Sequence, residues 1–104
     1  MIVPIRRPKD EPMALNQLAW TIVDPDAPKT NPDLELAHLA ADAANTLTKG
    51  EDFQVLDTFA RVVYLQGDAA KARELQQKAI DKAPAEAKDE LSKRLQEYQT
   101  AKHG

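Results

Sequence analysis

Cysteine is absent from the 104 residues. Its absence excludes a disulfide scaffold, a thiol nucleophile and a zinc site built on thiolates. Glycine occurs three times, too rarely for a loop that cradles phosphates. Aromatic residues make up 5% of the chain and histidines number two. Apolar runs are only a few residues long, so nothing spans a bilayer. The net charge of −3 argues against a whole-surface attraction to nucleic acid. What is present is an ordinary 42% of hydrophobic and 30% of charged residues, enough for one domain with a modest core.

Proline divides the chain. Six of the seven prolines fall within the first 32 residues, and the last is Pro84. Proline fixes φ and removes a backbone donor, so the cluster marks tail and loop. Residues 1–11 read as an extended segment with a small basic patch, Arg6, Arg7 and Lys9, and apolar Ile2, Val3 and Ile5. The segment lacks the apolar stretch of a signal peptide. Beyond it the pattern is helical. Leu15, Leu18, Ala19, Ile22 and Val23 recur at spacings of three and four, one face of a helix that stops before Asp24-Pro25. Asn31-Pro32-Asp33 is a second start signal, with Asn31 as the capping side chain. Leu34, Ala37, Ala40, Ala41, Ala44 and Leu47 give the buried face, and Lys49-Gly50 the stop. Asp52 caps a third helix carrying Val55, Leu56, Phe59, Ala60 and Val63. Gly67 ends it and Asp68 caps a fourth carrying Ala69, Ala72, Leu75, Ala79 and Ile80. A fifth runs from about Ala85 to Thr100 with Ala87, Leu91, Leu95 and Tyr98 inward. No strand signal competes. The fold class is all-α: hairpin 12–50, hairpin 51–84 and a C-terminal capping helix 85–101.

The chain also repeats itself. Ala37 and Ala44 recur 35 residues later as Ala72 and Ala79, and Leu18-Ala19 recurs 41 residues later as Phe59-Ala60. The six extra residues fall in the proline-rich loop. Over residues 13–84 this pattern resembles the tetratricopeptide repeat. Leu56 stands at its large first-helix residue, Phe59-Ala60 at its leucine and small-residue pair, and Val63 at its first-helix aromatic. Gly67-Asp68 matches its tight turn, and Ala72, Ala79 and Pro84 its alanines and closing proline. Gln76 replaces the usual aromatic of the second helix and is expected to weaken packing there. The phrases LNQLAW and LDTFA are also similar to repeat tails attached to larger bacterial proteins. The resemblance implies antiparallel hairpins in right-handed stacking, closed by a polar-faced helix. Two hairpins and a cap are close to the smallest stable array, which fits either part of a longer protein or a self-associating unit.

No constellation for catalysis stands out. His38 with Asp42 four residues on reads as a surface contact rather than a base or half a metal site. The acidic loop around Asp24 and Asp26 lacks the glycine and ligand spacing of a calcium loop. The only serine, Ser92, has no triad context. No enzyme activity, metal or cofactor is expected. The resemblance instead implies binding of a protein or peptide on the surface lined by the first helix of each hairpin. By position it picks out Asn16, Trp20, Asp57, Arg61 and Tyr64, with Gln54 at the edge. Trp20 suits either that groove or the core. Arg61 is expected to pair with Asp57 one turn earlier or with a partner carboxylate. Relatives that capture a C-terminal carboxylate use lysine and asparagine at groove positions that here hold Asn16, Trp20, Asp57 and Arg61, so capture in that manner is not expected. The expected function is therefore a protein or peptide interaction module, accessory to a larger protein. The alternative is a self-associating unit, a homodimer joined through Ile2, Val3, Ile5 and the array ends. The compartment stays open between cytoplasm and, for a fragment, periplasm.

Overall fold

The computed structural model describes residues 10–100, with side chains from Glu11 onward. The extended segment with its basic patch and isoleucines, and the tail after Thr100, lie outside the described residues. Five helices follow in order: α1 Asp10–Val23, α2 Leu34–Leu47, α3 Phe53–Leu65, α4 Ala69–Lys82 and α5 Ala85–Thr100. Among the described residues there is no strand. The fold is all-α.

The helix ends follow local chemistry. α1 begins at Asp10, two residues earlier than Pro12 suggested. Pro12 therefore sits in the first turn, where a missing N–H costs nothing. α2 is capped by Asp33 rather than Asn31. The Asp33 carboxylate accepts the Leu36 N–H at 3.0 Å, because Asp33 is the residue that stands one helix turn before that free donor. Asp52 and Asp68 cap α3 and α4 as the sequence indicated, accepting from Gln54 and Val55 and from Lys71 respectively. At the end of α2 the Gly50 N–H reaches the Asn45 carbonyl (2.9 Å) and the Lys49 N–H the Thr46 carbonyl (3.1 Å), a Schellman closure. The same closure ends α3, with the Asp68 N–H on the Val63 carbonyl at 2.9 Å and the Gly67 N–H on the Tyr64 carbonyl at 3.0 Å. Gly67 has φ +99° and open space where a Cβ would stand. The cost of Gly67→Ala is thus conformational alone, about 1–2 kcal/mol, measurable as a lower urea midpoint with an unchanged m-value.

α1 packs on α2, α3 on α4 and α4 on α5, while α3 also meets both α2 and α1. Alanines make the close approaches possible: Ala19, Ala37, Ala41, Ala44, Ala60, Ala72 and Ala79 are all fully buried. The recurring alanines, Ala37 and Ala72, Ala44 and Ala79, Ala19 and Ala60, therefore occupy equally buried places, whereas Leu18 and Phe59 do not. Leu56, Phe59, Val62, Val63, Leu75, Leu91 and Tyr98 fill the space between the helices. Two leucines depart from the expected pattern. Leu18 and Leu47 are 41% and 50% exposed. On α2 the reason is that neighbouring helices cover its alanines and leave the adjoining leucines open.

Gln76 also departs from expectation. It is fully buried, and its Nε2 donates to Asp57 Oδ1 and to the Leu91 carbonyl, both at 3.0 Å. Instead of leaving a packing defect where an aromatic would stand, it ties α4 to α3 and α5.

Candidate functional site

α1 and α3 lie side by side and leave a cleft of about 300 Å³ between them. Met13, Asn16, Gln17 and Trp20 line it from α1, and Gln54, Asp57 and Thr58 from α3. The spacings of three and four place each set on one helix face. Four of the residues chosen from the sequence, Asn16, Trp20, Gln54 and Asp57, come together here. Arg61 and Tyr64 lie farther along α3, where α5 engages them.

The electrostatics of the cleft are set by α5. Arg94 donates to Asp57 Oδ2 at 2.8 Å and holds Glu90 at 3.6 Å. Its guanidinium also stands 5.2 Å from the centre of the Trp20 ring, a cation–π contact. With Gln76 on Oδ1, both oxygens of Asp57 are engaged. Burial raises the Asp57 pKa above its ordinary value, and the Arg94 charge opposes that rise. Trp20, half-buried, packs against the core cluster and also lines the cleft. Asn16 Oδ1 is buried and has no hydrogen-bond partner.

Arg61 does not pair with Asp57. It donates to Glu97 at 2.8 Å and from Nε to the Val23 carbonyl at 3.4 Å, and its guanidinium lies 5.6 Å from the Tyr64 ring centre. The physical reason is competition. α5 offers Glu97 to Arg61 and Arg94 to Asp57, so two inter-helix pairs replace the one local pair. Tyr64 stacks at 4.5 Å on Tyr98 of α5. Burial pushes the Tyr98 hydroxyl pKa up to about 12, against the pull of the Arg61 charge.

His38 does not form the expected contact with Asp42. Its Nδ1 lies 2.8 Å from Gln66 Oε1, and its ring meets Phe59 edge-on at 5.2 Å. Among the described residues no group of three or more His, Asp or Glu is placed to hold a metal ion. No described helix is long and apolar enough to cross a membrane.

Met13, Gln17 and Thr58 were missed in the sequence although a signal existed. Residues 13, 16, 17 and 20 share one helix face, as do 54, 57 and 58. Arg94 had no such signal, because it comes from a helix 37 residues beyond Asp57. Comparison with family models, curated proteins and solved structures returned no match.

Proposed function

We propose that the protein is a recognition module of tetratricopeptide type that holds a short extended protein segment in the α1–α3 cleft. The observation that carries this reading is the chemistry of the cleft wall. Neutral amides of Asn16, Gln17 and Gln54 stand beside the Trp20 indole and the Met13 thioether. The buried Asn16 acceptor lacks a donor, and the charge of Asp57 is already matched by Arg94. Such a wall suits a peptide backbone against the amides of Asn16, Gln17 and Gln54 and an apolar or neutral side chain against Trp20. The fully buried alanines at the recurring positions and the Gly67-Asp68 turn support the repeat reading. On this reading the chain acts as the accessory, partner-choosing part of a larger protein.

The test is a selection of peptides from a displayed random-sequence library against the immobilised protein, with affinities measured in solution. Asn16→Ala and Gln54→Ala are each expected to weaken the selected peptides about tenfold, since a buried hydrogen bond lost on one side costs about 1–3 kcal/mol. Peptides that bind both variants as tightly as the parent would contradict the reading.

Self-association is the second reading, favoured by the leucines exposed on α2. Charge opposes it there. Residues 10–47 carry seven acidic residues against one lysine, and a two-fold contact would bring these like charges together.

A further inference from the structure

We infer that the open face of α2 is a docking surface for an amphipathic segment of another protein, apolar along one stripe and flanked by lysine or arginine. Leu36, Leu39, Ala43 and Leu47 follow one another at spacings of three and four, so they form a single stripe along the helix. Leu39 is 66% exposed and Leu47 50%. His38, which meets Phe59 and Gln66 of α3, and the buried Ala37, Ala41 and Ala44 occupy the other faces. On α1, packed against α2, Leu18 is also open. Four of the five large hydrophobic residues exposed among those described thus belong to this one helix pair. A stripe of exposed leucines along one helix, Leu36, Leu39 and Leu47, is the kind of apolar surface that serves as an interaction site.

Charge identifies the occupant. Neither α1 nor α2 contains a lysine or arginine, whereas Glu11, Glu35 and Asp42 are exposed on them. Residues 10–47 have a net charge of −6, seven acids against Lys29, while residues 48–104 balance ten acids with ten bases. Among the described residues, the apolar face therefore sits in the one strongly negative stretch. A second copy of the same face and an anionic lipid surface are both repelled. A basic amphipathic helix matches both the apolar stripe and the field. This face is separate from the α1–α3 cleft, and its occupancy does not depend on the cleft reading.

The test uses two synthetic helical peptides with the same leucine stripe, one flanked by lysines and one by glutamates, titrated into the isotope-labelled full chain. The lysine peptide is expected to bind, to shift the Leu36, Leu39 and Leu47 signals, and to weaken as salt rises. The double variant L39S/L47S is expected to weaken it about tenfold or more, with the chain still folded and only a small drop in the thermal melt, since Leu39 is 66% and Leu47 50% exposed and serine is the weaker helix former. Asn16→Ala is expected to leave it unchanged. Four results would overturn the inference: no binding of the lysine peptide, equal binding of both peptides, shifts confined to the Trp20 cleft, or concentration-dependent self-association of the free chain that L39S/L47S abolishes.

Discussion

Arg94→Ala is expected to lower stability by about 2–4 kcal/mol at pH 7 and by only about 1 kcal/mol near pH 4. Arg94 sits 2.8 Å from Asp57, and the two side chains are 22% and 13% exposed. Removing the guanidinium leaves a largely buried carboxylate with Gln76 as its remaining side-chain donor. The estimate stays below that for a fully buried pair because water still reaches both groups. The sign of the pH dependence follows from burial. Burial already raises the Asp57 pKa above 3.8 in the folded protein, so the folded chain holds this proton more readily than the unfolded chain. The stability contributed by the group is present at low pH and is lost as pH rises from 3.8 through the raised value. Without Arg94 the folded value rises further and the loss becomes steeper. The cost left at low pH reflects the missing contact with Trp20 and the lost packing of the arginine stem. Urea unfolding of parent and variant across pH 4–7 measures this. A deficit that is constant with pH would show that Arg94 does not act through the Asp57 charge.

Gln76→Phe is expected to destabilise the fold by about 2–4 kcal/mol, even though the repeat pattern favours an aromatic at that position. Gln76 is fully buried and donates to Asp57 Oδ1 and to the Leu91 carbonyl. A phenyl ring would overfill its space, at about 1–3 kcal/mol. It would also take a donor from a buried carboxylate, at a cost of about the same size. Thermal and urea unfolding read the result, and a variant as stable as the parent would mean that position 76 is merely underpacked. Because Arg94 and Gln76 serve one carboxylate, the two substitutions are expected to be non-additive in a double-mutant cycle.

The contrast between Gln76 and the alanines shows what was legible in the sequence. Helical spacing, the Asp52 and Asp68 caps and the Gly67 turn are local signals, and each appears where the residues place it. The recurrence of Ala37 and Ala44 as Ala72 and Ala79 also pointed to equivalent, fully buried positions. Of the residues that the resemblance picked out by position, Asn16, Trp20, Gln54 and Asp57 come together where two helix faces meet, and Arg61 and Tyr64 do not. What the sequence concealed is long-range pairing. From a single helix, Asp57 and Arg61 look like partners four residues apart. Only the approach of α5 hands Asp57 to Arg94 and Arg61 to Glu97. The α2 leucines were misread for a related reason. Periodicity reports an apolar face, but the width that neighbouring helices cover depends on how closely the alanines let them approach.

Trp20 is the only tryptophan in the chain and lines the α1–α3 cleft, so its indole N–H signal reports on that cleft without ambiguity of assignment. The most direct test of a recognition function is to follow this signal in proton–nitrogen correlation spectra while a library-selected peptide is titrated into the full chain. A saturating shift of the indole signal, accompanied by shifts at Asn16, Gln54 and Thr58 and lost in Asn16→Ala, is the predicted result. A peptide that binds while the Trp20 indole and the α1–α3 backbone signals stay unmoved would contradict it.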